Sequence, residues 1–570
     1  MKTNWLCLLA VACFLVVPQT VLGEKARPSL VLFVVVDQLR GDMPEQYLPR
    51  FGPDGFRFFF DNGVVYRNAF LGNAATSTGP GHATLLTGAT PGRHGIVGND
   101  WIEPDSQREI YCTADRDHHV FGESGSHLPG TSPALLEAET LGDVLTRSSD
   151  GQGHVLSIST KDRSAILMGG RQGKAFWYSR QTGRFVTSSY YYPENPEWLD
   201  RWNAKRLVDR WKDAQWQLLR PREQYRFATR DDQPWEKDYR GLGRTFPHSF
   251  DRVATQDYYT ALRYTPFAND LIIDFVAEVL ESHELGADLA TDLLAISFSV
   301  TDRIGHMFGP DSLEAEDNML RLDQQMAALL ALIDRKVGLE NTLVILSADH
   351  GIPSAPEFLK LDGSDAARID TPRVIRDINV SLRKRFATRE NLIVSFLDPA
   401  FYLNIREIER AGLELGVVEK FVAESVARVD GIEFALTRSD ILAGKIPRNR
   451  ITDRMLKAFH PTRSGNVFPV QESGWFLQSD PWLYATTHGS PHDYDAHVAL
   501  MMAHGRGEPT IVDRTVIVEN VAPTIAAYLD IEAPSASTGA PLKEFSRDRA
   551  QSVSTTPTAQ RESEDHERRE

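Results

Sequence analysis

Leu293-Leu294-Ala295-Ile296-Ser297-Phe298-Ser299-Val300, closed by Thr301-Asp302, and Thr342-Leu343-Val344-Ile345-Leu346, closed by Ser347-Ala348-Asp349-His350-Gly351, are two apolar runs with a helical segment between them. In residues 311–334 the apolar side chains Ala315, Met319, Leu322, Met326, Leu329, Leu330 and Ile333 recur at helical spacing. The whole reads strand–helix–strand, the unit of a parallel sheet. Two more runs have the same form: residues 29–36, S-L-V-L-F-V-V-V, end at Asp37, and residues 154–159 end at Thr160-Lys161-Asp162-Arg163. Apolar runs without polar alternation mark strands buried on both faces. The fold class that follows is α/β, a mostly parallel sheet flanked by helices, with inserted cap segments. In such a sheet the ligand crevice lies outside the carboxyl ends of the strands. Asp37, Lys161, Arg163, Asp302, Asp349 and His350 would collect there.

At 570 residues, 42% hydrophobic and 25% charged, the chain has the composition of a globular protein with one large domain and insertions. Residues 1–23 carry the charged, apolar and small-residue regions of a secretory signal peptide, with cleavage expected near Gly23. A lipid anchor through Cys13, after Ala10-Val11-Ala12, is the alternative, against which stand a short apolar run and a poor leucine position. The expected destination is periplasmic or secreted. No later stretch reaches the roughly 18 apolar residues of a membrane span. Of the 3 cysteines only Cys112 lies beyond the leader, so the mature chain can form no intrachain disulfide. A net charge of −16 argues against nucleic acid or an anionic membrane as partner. An anionic substrate would need cations gathered locally.

Residues 176–238 break the strand–helix rhythm with Tyr190-Tyr191-Tyr192 and with Trp198, Trp202, Trp211 and Trp216 along a charged helical stretch; the aromatic spacing reads as packing. They and residues 369–478 are expected as insertions in a catalytic domain spanning 24–545. The core resumes at residues 497–502 and ends with a helix at Val521–Leu529. The polar, charged stretch 546–570 is expected to be a disordered tail.

Thr78 opens the richest stretch. A hydroxyl followed by Gly79-Pro80-Gly81 and helix-forming Ala83-Thr84-Leu85-Leu86 sits where a turn starts a helix, facing unpaired N–H groups and the positive dipole end. That suits an attacking oxygen and an anionic substrate; taken alone, Thr76, Ser77 or Thr78 serves equally as a plain helix cap. The ligand inventory tips the balance. Asp302 and His306 stand four apart, Asp349 and His350 are adjacent, and Asp37 and His488 add a carboxylate and an imidazole. Three carboxylates and three imidazoles at one sheet edge suit Zn²⁺, and six ligands suit two ions more easily than one. His82 and His94 are expected to hydrogen-bond locally, His492, Asp493, Asp495 and His497 to orient the metal site from behind, and Cys112 to pack.

Asp37 after the first strand, T-G-P-G-H at 78–82, H-G-I-V-G-N at 94–99, K-D-R at 161–163, D-R-I-G-H at 302–306, D-H-G at 349–351 and H-G-S at 488–490 together resemble the alkaline phosphatase superfamily. They look most like its bacterial periplasmic phosphate-irrepressible members with a threonine nucleophile, relatives of the nucleotide pyrophosphatase/phosphodiesterases. The resemblance implies two Zn²⁺, one held by Asp302, His306 and His488 and one by Asp37, Asp349, His350 and the Thr78 oxygen. It implies a phosphothreonine intermediate, with Asn99, Lys161 and Arg163 on the phosphoryl oxygens and small phosphate esters as substrates. Lys161 and Arg163 add charge that a dianionic monoester exploits better than a diester. The rivals are a phosphodiesterase or nucleotide pyrophosphatase on the same scaffold, which lacks this K-x-R arrangement, and a secreted metal- or phosphate-binding protein without turnover.

Overall fold

The computed structural model describes residues 27–103, 106–123 and 130–546. The expected leader and almost all of the expected tail lie outside the described residues. The element that orders the rest is β1, Leu30–Val36, every residue of which is buried. It pairs in parallel on one side with β6, Asp292–Phe298, and on the other with β7, Thr342–Ser347. Beyond β6 the parallel run continues through β3, Val155–Ser159, and β4, Lys174–Tyr178. Four short strands complete a nine-stranded sheet: β2 at Val64–Tyr66, β5 at Phe185–Val186, β8 at Leu500–His504 and β9 at Thr510–Val512. Its order is β9-β2-β8-β7-β1-β6-β3-β4-β5. β8 runs antiparallel to β7, and β5 antiparallel to β4. Helices α1, Thr78–Thr87, and α4, Leu313–Lys336, stand where helical segments were expected, and the structure adds α2, Asp162–Gly169, and α3, Val300–Phe308, directly after β3 and β6.

Two expectations change on contact with the structure. The strand expected at 497–502 is split: His497–Val498 pair with Ala69–Phe70, while Leu500–His504 join the main sheet. Ala499 N–H turns instead to Leu39 O at 3.2 Å, and that bond divides the two. The segment 176–238 begins inside the sheet, since β4 and β5 belong to it, and only Glu197–Ala204 is α-helical there. Aromatic burial, not helical periodicity, holds the remainder: Phe185 stacks on Phe275 at 4.0 Å, and Trp216 donates to Asp317 at 2.6 Å. Residues 369–478 build a second, four-stranded antiparallel sheet in the order Ile393–Leu397, Ala400–Leu403, Val467–Gln471, Ile432–Thr437. Its apolar cluster includes Leu382, Phe401, Val418 and Val422.

His94, fully buried after α1, does hydrogen-bond locally. Its Nδ1 accepts from Ile96 N at 3.1 Å, and its Nε2 lies 3.1 Å from Thr84 Oγ1. Burial above all, with the charges of Arg463 and His460 adding, pushes its pKa down to about 3. The folded chain keeps this imidazole neutral while the unfolded chain binds a proton below about 6.5. Its contribution to stability is therefore complete above that pH and falls, by about 1.4 kcal/mol per pH unit, as pH drops toward the folded value. Replacing His94 by Asn, which keeps an acceptor for Ile96, should flatten unfolding free energy against pH between about pH 6 and 4. Parallel wild-type and variant curves would refute the assignment.

Candidate functional site

The carboxyl ends of β1, β3, β6 and β7 converge on one crevice. Asp37 ends β1, with its N–H on Phe298 O at 3.0 Å. Asp302 sits in the first turn of α3, directly after β6, and His306 one turn on. Asp349 and His350 follow β7, and His488 comes from a loop beyond the second sheet. Opposite them stands α1, with Thr78 at its first position behind Ser77 in an extended N-cap conformation. Gly81 lets α1 come this close, because a Cβ there would overlap the Asp349 carbonyl. The structure thus brings all of Asp37, Thr78, Asp302, His306, Asp349, His350 and His488 to one place.

The imidazoles share one arrangement. His306 Nδ1 is 3.1 Å from Thr486 O, His350 Nδ1 is 3.0 Å from Gly351 O, and His488 Nδ1 is 2.7 Å from Thr76 O. Each carbonyl can only accept, so each Nδ1 carries the proton and each Nε2 keeps its lone pair. Those three Nε2 atoms face the carboxylates. His306 Nε2 is 3.1 Å from Asp302 Oδ1, His488 Nε2 is 3.6 Å from the same oxygen, and His350 Nε2 is 3.5 Å from Asp37 Oδ1 and 3.4 Å from Asp349 Oδ2. Lone pairs pointed at anions need a cation between them. Asp37 Oδ1 and His350 Nε2 are buried without a hydrogen bond. Asp302, His350 and His488 form one group, and Asp37, Asp349 and His350 another, whose donor atoms lie within 4.8 Å of one another. His350 therefore stands at the seam of the two groups, its ring stacked on His488 at 3.5 Å. The donor set, oxygen and neutral nitrogen, fits divalent cations.

Burial raises the Asp37 carboxyl pKa, and Asp302 and Asp349 add to the rise. Burial acts the same way on Asp302, but His306 and the Lys161 ammonium beside it hold its carboxyl well below the usual range. Burial, then the neighbouring His488, pushes His350 well down, keeping it in the neutral form a metal ligand requires.

Lys161 and Arg163 open α2. Lys161 Nζ lies 2.5 Å from Asp37 Oδ2, 2.6 Å from Asp302 Oδ2 and 3.2 Å from Thr78 Oγ1. Arg163 Nη2 is 3.4 Å from the same hydroxyl. Asn99 Oδ1 accepts from Gly79 N–H at 2.8 Å, which commits its amide nitrogen as the donor left over. All three donors predicted from sequence surround the Thr78 hydroxyl or its helix start.

Several residues that position the site were not read from sequence. Gln38 adopts a left-handed conformation, φ 73°. From there its N–H meets Asp349 Oδ1 at 3.1 Å and its Nε2 meets Asp302 Oδ1 at 3.0 Å. A Cβ at Gly305 would overlap the Gln38 amide. Tyr111 donates to Asp162 Oδ1 at 2.6 Å and receives Arg163 Nη1 at 3.4 Å, which orients that guanidinium. Arg368 grips the backbone of the His488 loop: it donates to Pro481 O at 2.7 Å, Tyr484 O at 2.9 Å and Ala485 O at 2.6 Å, and pairs with Glu357. Asp495 does tie two ligand loops, accepting from Ser490 N–H and Oγ–H and giving its carbonyl to Gly351 N–H. His492, Asp493 and His497 hold other partners, at Gln471 O, Arg454 and Arg67 O respectively. His82 Nδ1 contacts Thr78 O at 2.8 Å and Asp349 Oδ2 at 3.2 Å, bracing the Thr78 helix and the Asp349 loop together. Cys112 is buried beneath Gly79, and burial pushes its thiol pKa well up, as a packing residue requires.

A hydroxyl at a helix start, ringed by an ammonium, a guanidinium and an amide and set against carboxylates that call for divalent cations, is the equipment of metal-dependent phosphoryl transfer. Residues 31–495 match the family described as type I phosphodiesterase / nucleotide pyrophosphatase, and the chain belongs to it. It is 32% identical to alkaline phosphatase PhoV of Synechococcus elongatus, covering 92% of this chain and 93% of that one. It is 32% identical to a protein of Myroides odoratus named calcium-transporting ATPase, over 94% of this chain and 98% of that one. The crystal structure of wild-type alkaline phosphatase PafA superimposes with a TM-score of 0.86 at 30% identity, over 91% of this chain and 99% of that one.

Arg368 makes a test of the loop that carries His488. Arg368→Met should leave the fold intact but let residues 481–488 relax, lowering metal retained after dialysis and cutting activity by about ten- to hundredfold. Unchanged metal content and rate would show that the loop holds its shape without the clamp.

Proposed function

We propose that this chain is an exported alkaline phosphatase that hydrolyses phosphate monoesters of broad leaving-group range through a phosphothreonine at Thr78. The observation that carries this reading is the convergence of Lys161 and Arg163 on Thr78 Oγ1, at 3.2 and 3.4 Å. Two Zn²⁺ fit the donors, Asp302, His306 and His488 holding one and Asp37, Asp349, His350 and Thr78 Oγ1 the other. Bound there, the ions would supply Lewis acidity to the attacking and leaving oxygens.

Thr78 Oγ1, losing its proton, forms the new bond to phosphorus while the ester oxygen departs with the bonding pair and is protonated from solvent; water then attacks the phosphothreonine, Thr78 Oγ1 leaves with the bonding pair and regains a proton, and phosphate is freed. The start of α1 presents its positive end to the reacting group. With cations on Asp37 and Asp302, the Lys161 ammonium is released from neutralising them and serves the phosphoryl oxygens, beside Arg163 as oriented by Tyr111, and Asn99. The alternative, a phosphodiesterase, is favoured only by the family's description. A monoester dianion carries one more negative charge than a diester, and this site places two cationic side chains where that charge falls.

Chelation by EDTA should abolish activity and Zn²⁺ restore it, while Thr78→Ala should lose turnover and retain metal. Full rate in protein shown by elemental analysis to hold no metal would end the two-ion reading, and acid-stable phosphate on Ser77 would move the nucleophile.

Removing both Lys161 and Arg163 should cost monoester hydrolysis about 3–6 kcal/mol, roughly two to four powers of ten, and diester hydrolysis much less. The measurement is kcat/KM for an aryl phosphate and its methyl diester. Equal losses, or a wild type that prefers the diester, would favour the phosphodiesterase.

A further inference from the structure

Beside His306 lies a cationic cluster that the chemistry above does not use. Arg263 is only 7% exposed, yet no carboxylate pairs with it among the described residues, and its Nε is buried without a hydrogen bond. Burial, then the Arg303 guanidinium, works against its protonated form, while Tyr264, Tyr239 and Tyr178 favour it. Arg303 stands between the ligands Asp302 and His306 on α3. Its Nη1 donates to Tyr264 OH at 3.3 Å, its guanidinium lies 5.1 Å from the Tyr264 ring, and its Nε is likewise buried without a partner. Tyr239 stacks on Tyr264 at 3.7 Å, and Tyr484 lies against His306 at 4.5 Å. Two guanidinium groups left without an anion are costly, because arginine cannot shed its charge. An anion brought to them would offset that cost.

We infer that Arg263 and Arg303 bind a second anionic group carried on the leaving group of the substrate, so that the site prefers monoesters whose leaving group ends in another phosphate. The inference rests on the monoester reading, since the His306 side is where a leaving group would depart. The chemistry closes simply: Thr78 Oγ1 bonds the outer phosphorus, the bridging oxygen leaves with the bonding pair on the inner phosphate, and the two guanidinium groups hold the charge that appears there. Forked donors suit phosphate better than a single ammonium would. A carboxylate tail shares the chemistry with weaker geometric match.

Arg303→Met and Arg263→Met are the variants to compare with wild type, on pyrophosphate and on p-nitrophenyl phosphate. Each should lose about tenfold or more in kcat/KM on pyrophosphate and less than about threefold on the aryl ester. Binding supplies a readout free of turnover. In zinc-loaded protein, calorimetry with methylenediphosphonate, 3-phosphonopropionate and propylphosphonate should show the variants weakening the first most, the second less and the third not at all. A larger loss for 3-phosphonopropionate than for methylenediphosphonate would assign the site to carboxylates and overturn the phosphate preference. Equal losses on pyrophosphate and the aryl ester would overturn the inference, reducing Arg303 to a support of α3. An inactive wild type would instead defeat the monoester reading, while the binding arm still decides on the anion site. Arg263→Met should melt no lower than wild type, since a methionine there removes an unpaired buried charge; a large fall in Tm would show that Arg263 is structural.

Discussion

Three carboxylates, Asp37, Asp302 and Asp349, are buried together at the ends of adjacent strands, and the site around them is an answer to their mutual repulsion. Burial works against charge on all three, and in Asp37 it raises the carboxyl pKa, with Asp302 and Asp349 adding to the rise. Lys161 reaches two of them and Gln38 lends a backbone and a side-chain N–H, while the lone pairs of the neutral imidazoles beside them add to the demand for cations. A parallel sheet makes such crowding possible, because every strand delivers its last residue to the same edge.

The same geometry explains why so much was legible in the sequence. Strands buried on both faces read as unbroken apolar runs, so β1, β3, β6 and β7 were visible, and the polar residue after each run was placed at the crevice by topology. Thr78, Lys161 and Arg163 follow because helix starts collect there too. What the sequence did not disclose depends on partners far away in irregular chain. Tyr111 acts through Asp162 and Arg163, and Arg368 acts through carbonyls, which carry no sequence signal at all. Arg263 sits in a short connection and becomes notable only when its lack of an acid partner can be seen. The segment 176–238 misled for a related reason, since its tryptophans are spaced by what they pack against and not by a helix.

The second sheet belongs to this account as well. It is a small domain-like unit with its own apolar cluster, yet Arg368 at its border fixes the loop bearing His488, and Ala485 N–H meets His306 O at 2.7 Å. His488 is thus supplied from beyond the second sheet and held by a clamp outside the parallel core, so the two parts of the protein share a single electrostatic centre.

Gly81 and Gly305 mark where the fold has no room to spare. At Gly81 a methyl group would strike the Asp349 carbonyl, and at Gly305 it would strike the Gln38 amide. Neither glycine touches a substrate, and neither needs a left-handed backbone. Each sets a spacing: the nucleophile's helix from one ligand loop, and the helix of Asp302 and His306 from another. In a library of random variants these two positions would behave like catalytic residues while having no chemistry of their own, and a descendant that alters its reaction would have to do so from the loops and the Arg263–Arg303 rim, not from this inner frame.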